Sequence, residues 1–199
     1  MTSIAVRSAS RDEEKKVSAL ITLAFASAPM ARWSLRDAQI YLAVMPDLIR
    51  AFGDAAYDSD STYVSDDFGG AAMWLPPGVG PDIETLDRII QENADPAILS
   101  DVGAIFDAMA HYHPEVPHWY LPLIGTDPIR QGEGIGGALM EHALARCDRD
   151  GVAAYLESSN PRNIPLYQRH GFEILGTIQV GSSPVLTPML RPPRPAPSK

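Results

Sequence analysis

The 199 residues suffice for one well-filled core, and division in two would leave units near the small end of the usual range of roughly 50 to 250 residues. The formal net charge is −9 and lysine occurs only as Lys15, Lys16 and Lys199, which excludes the basic stripe that binds a phosphate backbone, so no nucleic acid partner is expected. No apolar run approaches the ~20 residues that cross a bilayer, the first seven residues lack a secretory pattern, and the single Cys147 forbids an internal disulfide; these features predict a cytoplasmic protein with no membrane partner.

Ile4–Arg7 alternates and predicts a first strand, and Ser10 with Glu13 has the spacing of a capping box. Val17, Leu20, Ile21, Ala24 and Phe25 recur with helical period, so a helix is expected to end near Phe25, ahead of a loop from Ala26 to Trp33. Ile40, Tyr41, Val44, Leu48 and Phe52 mark a second helix closed by Gly53. The β-prone runs Thr62–Val64 and Ala71–Leu75, joined by Asp66-Asp67-Phe68-Gly69-Gly70, read as a hairpin that Pro76-Pro77 stops. Asp82 to Ala110 reads as two helices, the second restarted at Pro96. Trp119–Ile124 is an aromatic and aliphatic strand in which Pro122 predicts a bulge or a ligand-facing edge. A glycine loop leads into a helix carrying Ile135, Leu139, Ala143 and Cys147, stopped by Gly151. Ala153–Leu156 is the next strand, Asn160–Arg169 a short helix, Gly171-Phe172 a turn into another strand, and Ile178–Leu190 a last hairpin. One domain is expected over residues 1–190, with a proline-rich tail at 191–199 that has nothing to pack.

Gly132, Gly134, Gly136 and Gly137 fall just before an amphipathic helix, so several backbone amides can approach a ligand without obstruction. A helix N-terminus adds unsatisfied donors and partial positive charge, the physical basis of an anion cradle. The spacing Gly132-x-Gly134-x-x-Gly137 also satisfies the dinucleotide fingerprint, with Glu157 placed as a ribose-binding acid, so a nicotinamide-dependent oxidoreductase is an alternative. Against it, too little chain follows Glu157 for further βα units.

The same loop reads as Gln131-x-x-Gly134-x-Gly136, and downstream lies Asn163-Ile164-Pro165-Leu166-Tyr167-Gln168-Arg169-His170-Gly171-Phe172. Together these resemble the two signatures of the GNAT superfamily of N-acetyltransferases. Leu156-Glu157-Ser158-Ser159, Pro161-Arg162-Asn163 and Trp119-Tyr120-Leu121 are similar in pattern to its puromycin N-acetyltransferase-like members. The resemblance implies a mixed α/β fold: a mostly antiparallel central sheet of six to seven strands, flanked by helices and splayed between the strands at 119–125 and 153–158. It also implies acetyl-coenzyme A as cosubstrate, no metal, and transfer to a primary amine of a small molecule, an antibiotic or xenobiotic, by direct attack in a ternary complex. A catalytically weak domain serving as an acyl-coenzyme A sensor is the other alternative, and monomer and homodimer are both compatible.

The resemblance assigns Tyr167 as the acid that protonates the leaving thiolate, with a packed tyrosine beside Phe172 as its structural alternative. Asn163, one turn earlier, is the first choice for a residue that contacts the pantetheine arm or orients the tyrosine; Asn160 shares that claim and also suits a helix cap. Ile124, Gly125 and Thr126 are expected to pair with that arm through their backbone, and Gln131, Gly132, Gly134, Ile135, Gly136 and Gly137 to hold the pyrophosphate. Arg130 and Arg162 suit either a phosphate or solvent. The strand before the loop carries no glutamate, so Glu157 is the candidate base, with a structural carboxylate as the equal alternative. Trp33 and Tyr120 are candidates for the acceptor pocket, together with Trp74, for which core packing is at least as good a reading. The loop around Trp33 and the helices between 82 and 110 are expected to shape that pocket. His111, His113 and His118 cluster in sequence, but Pro114 and Pro117 break the spacing that a metal needs.

Overall fold

A computed structural model describes residues 4–194. Seven strands form one sheet in the order β1-β2-β3-β4-β5-β7-β6: β1 Val6–Ser8, β2 Thr62–Ser65, β3 Gly70–Leu75, β4 His118–Thr126, β5 Ala153–Ser158, β6 Glu173–Ile174 and β7 Thr187–Arg191. Neighbours pair antiparallel except β4 with β5. The sheet therefore has the mixed, mostly antiparallel character expected. Its single parallel pair does not supply the repeated parallel βα units of a dinucleotide fold.

Alternation along the strands sends side chains to two separate cores. Ala71, Met73, Leu75, Tyr120, Leu123 and Tyr155 face one side, and Ala72, Trp74, Trp119, Leu121, Ala154 and Leu156 the other. The first face is covered by α1 Glu14–Ala24, α2 Pro29–Ser34, α3 Ala38–Gly53, α5 Ile83–Asn93 and α6 Leu99–Tyr112, with α4 Ala55–Asp58 at its margin. The second is covered by α7 Ile135–Asp150 and α8 Ile164–Arg169. Among the described residues no helix is long and apolar enough to cross a membrane.

Several stretches differ from the sequence reading. The loop expected from Ala26 to Trp33 contains α2, whose Pro29 sits at the first turn, where a missing N–H costs nothing. The expected hairpin from Ile178 to Leu190 reduces to one bridge, Ile178–Leu186, while β7 pairs back onto β5 and β6. Strand β7 also takes in Arg191, whose guanidinium is buried against Asp148 of α7 at 2.7 Å and donates to the His170 carbonyl. The rest of the proline-rich tail, from residue 195, lies outside the described residues.

Candidate active site

Strands β4 and β5 pair only from His118–Ala153 to Tyr120–Tyr155. Beyond that point β4 continues beside β3 while β5 continues beside β7, so the two diverge and leave an edge of β4 without a neighbour. Pro122 stands at the divergence. The β3–β4 register shifts between Met73–Leu123 and Leu75–Tyr120, a bulge that turns Pro122 and Leu123 toward the same side. Ile124, Gly125 and Thr126 follow on the diverging stretch. Gly125 also has a packing reason to lack a side chain, because a β-carbon there would come 2.6 Å from the Ala24 β-carbon.

The glycine loop runs from the end of β4 onto α7. Gly132 (φ +89°) and Gly134 (φ +91°) hold the left-handed backbone that other residues adopt at a cost of roughly 1–2 kcal/mol. The first intrahelical bond of α7 is Ala138 N–H to the Gly134 carbonyl, and no side chain caps the helix, which leaves the amides of Ile135, Gly136 and Gly137 as its orphan donors. β-carbons built on Gly132 and Gly137 meet nothing within 4 Å, and one on Gly136 would sit 3.4 Å from Leu166 of α8 and 3.8 Å from the Thr126 hydroxyl. Gln131 is exposed, and Ile135 contributes only backbone, since its side chain is in the core. Open, uncapped donors at a helix N-terminus fit a pyrophosphate. Arg130 does not reach toward it: its guanidinium is engaged by Asp67 of the β2–β3 turn at 2.7 Å and by Glu133 at 2.8 Å, fastening the loop to the hairpin.

Tyr167 lies on the α7 side of the sheet, buried, with its ring 6.2 Å from Phe172 in an edge-on arrangement. Burial pushes its phenol up to about 12, partly offset by the Asn163 amide. Asn163 thus acts on the tyrosine, whereas Asn160 is the cap, accepting from the Arg162 N–H at 3.1 Å. Arg162 is exposed.

Glu157 lies on the opposite face, beside a cavity of about 160 Å³. Phe25, just past α1, and apolar side chains from α2, α3, α5 and α6 line it, including Met30, Phe52, Ile90, Phe106 and Met109, and the diverging strands add Tyr120, Pro122, Leu123 and Glu157. Glu157 is the one charged side chain in that wall. Burial raises its carboxyl to about 7, and the nearby phenols of Tyr120 and Tyr155 oppose this only in part. Glu157 Oε1 and the Tyr155 hydroxyl are both buried without a well-formed hydrogen bond, a costly condition that keeps a carboxyl ready to take a proton. Trp33 lines the same cavity and donates its indole N–H to Ser182 Oγ at 3.1 Å. Trp74 is instead packed in the core on the α7 side.

The sequence reading overlooked Tyr155, although period-two alternation from Tyr155 to Glu157 puts both on one face. It also left Arg130 open between phosphate and solvent, where the structure gives it two carboxylate partners. His113 and His118 touch through their Nε2 atoms at 3.0 Å, but among the described residues no group of three or more His, Cys, Asp or Glu is placed to hold a metal.

Comparison with known proteins agrees with this geometry. Residues 101–172, the segment holding β4, the cradle, β5 and α8, match the acetyltransferase (GNAT) family. An uncharacterized N-acetyltransferase of Schizosaccharomyces pombe is 30% identical over 122 residues, covering 53% of this chain and 48% of the relative, so the match spans about half of that protein's length. A solved structure from Corynebacterium glutamicum, described as a histone acetyltransferase and related acetyltransferase, is 26% identical with a TM-score of 0.70 over 97% of this chain and 98% of its own. The polyamine N-acetyltransferase of Drosophila melanogaster, an enzyme that forms N-acetylagmatine, shares the fold with a TM-score of 0.64 at 15% identity, covering 94% of this chain and 98% of its own. A sheet opened between one parallel pair, a glycine cradle on the following helix and the family match together identify residues 101–172 as a segment of the GNAT acetyltransferase family, within a chain that shares that family's fold.

Proposed function

We propose that the protein transfers the acetyl group of acetyl-coenzyme A to the primary amine of a small molecule by direct attack in a ternary complex. One observation carries this reading: the split between β4 and β5 has an uncapped amide cradle at one end and, on the opposite sheet face from Tyr167, a cavity whose single charge is Glu157. Two substrates can thus meet at the split from different sides.

The thioester supplies the acetyl carbon. The amides of residues 134 to 137 are suited to the pyrophosphate, and the free edge of β4 at Ile124–Thr126 to the pantetheine arm, as an added strand would pair. A backbone amide there is the candidate donor to the oxyanion. The amine nitrogen forms the new C–N bond, its surplus proton passes to Glu157, the C–S bond breaks, and the thiolate takes the proton of Tyr167. A phenol pushed up to about 12 is fully protonated at neutral pH, the form that can donate.

Thiol release with a panel of amines, alongside calorimetry of coenzyme A binding, tests the reading. Cys147 adds no background in the folded protein, because it is buried and its thiol is pushed up to about 12. Saturable, amine-dependent thiol release is expected. Coenzyme A binding with no amine raising release would favour an acyl-coenzyme A sensor, and absence of binding would refute the cradle.

A further inference from the structure

The cavity beside Glu157 gives the acceptor a size and a polarity. Its volume of about 160 Å³ is close to that of an apolar protein cavity of ~150 Å³ that takes up benzene. Apart from Ser34, Ser159 and Glu157 its side chains are aliphatic, aromatic or thioether. Glu157 stands on the strand wall with Tyr120 and Pro122, at the split, while Met30, Ile105, Phe106 and Met109 line the helical side. An amine held at Glu157 therefore points the rest of its molecule into an apolar cavity.

Resting on the function proposed above, we infer that the acceptor is a primary monoamine carrying one compact apolar group of roughly six or seven heavy atoms, such as an aralkylamine or a short alkylamine. A second ammonium or a guanidinium would be buried with no carboxylate to meet it, because the wall offers only one charge. A nucleoside-type acceptor, with its sugar and base, is larger than the cavity.

The test is a homologous series of n-alkylamines from propyl to decyl, with benzylamine, 2-phenylethylamine, agmatine and spermidine. For each, kcat/KM is read by thiol release, and binding in the presence of coenzyme A is read by calorimetry. Within the series kcat/KM should rise roughly fourfold per methylene, the gain from burying one CH₂, and stop rising near six or seven carbons. The benzylamine value should exceed that of agmatine by at least about a hundredfold, since an unpaired buried charge is among the costliest burdens a site can carry. Two variants move the break in opposite directions. Ala31→Phe, on the wall formed by α2, should shift it toward shorter amines, and Phe106→Ala toward longer ones.

A flat series, a break unmoved in both variants, or agmatine or spermidine as the better acceptor would overturn the inference. Chain-length-dependent binding with no amine acetylated would leave the cavity assignment standing and defeat acetyl transfer. Thiol release with polar amines alone would do the reverse.

Discussion

Replacing Glu157 by glutamine should lower activity and raise stability, each with its own pH dependence. Free in solution a glutamate titrates near 4.5, and burial in the cavity wall raises Glu157 to about 7. An amine of pKa ~10 is only about one part in a thousand neutral at pH 7. An ionised Glu157 can accept the ammonium form and remove its surplus proton, so wild-type kcat/KM should climb through pH 7 and then plateau until the amine itself titrates near 10. The glutamine variant has no proton acceptor and must wait for free amine. Its kcat/KM should rise tenfold per pH unit with no plateau, so its deficit is about a thousandfold at pH 7 and about tenfold at pH 9.

The stability effect follows from the same shift. A carboxyl whose folded-state pKa is raised stabilises the fold fully below the unfolded value, near 4.5, and that contribution is lost as pH rises through about 7. At about 1.4 kcal/mol per pKa unit the ionised carboxylate costs wild type roughly 3 kcal/mol at pH 8. The amide escapes that cost, so the variant should melt roughly 6 to 12 °C above wild type at pH 8 and level with it at pH 4. Stopped-flow or plate-based thiol release between pH 6 and 10, with thermal melts at both pH values, reads both effects. A plateau surviving in the variant would remove Glu157 from the proton path. A melting gap independent of pH would show that its carboxyl is not held in an apolar wall.

Tyr167→Phe preserves the buried ring and removes the donor, so kcat should fall by ~10²–10⁴ while calorimetric affinity for coenzyme A holds; unchanged kcat would leave Tyr167 as packing beside Phe172. Gly137→Ala adds a methyl in open space on the first turn of α7 and should raise stability by roughly 0.5–1 kcal/mol, while KM for acetyl-coenzyme A rises roughly tenfold or more if that space is the phosphate seat and one charged hydrogen bond is lost; melts and saturation kinetics separate the two effects. Arg191→Met breaks a buried ion pair and should cost about 3 kcal/mol in denaturant titration, at the low end for such pairs because Asp148 keeps 23% of its side chain exposed; adding Asp148→Asn should recover part of the loss.

The half of the site proposed for the cosubstrate was legible in the sequence because its physics is local. Positive φ at Gly132 and Gly134, an uncapped helix start and a proline in the preceding strand each act within a few residues of the chain. The proposed acceptor half was not legible, because its wall is assembled from four helices, two strands and the loops between them, whose apolar residues look like any core-facing stripe. Met30, Phe106 and Met109 differ from true core residues only in facing space, and periodicity carries no information about space. The same limit applies to Arg130 and Arg191. An arginine beside a glycine loop suggests a phosphate, and one opening a proline-rich tail suggests solvent, yet Asp67 and Asp148, distant in sequence, claim their charges.

Pro122 connects the two halves. It is among the few strand residues that sequence alone marks as unusual, and the bulge around it turns Pro122 and Leu123 toward the cavity while the next three residues run on past β5 toward the cradle. At this irregularity β4 and β5 cease to pair, and Tyr167 and Glu157 lie on opposite sides of the sheet. The proposed acid and base can act on one reacting carbon only through the gap that opens there. The irregularity in β4 therefore contributes as much to the proposed chemistry as the two titratable side chains it separates.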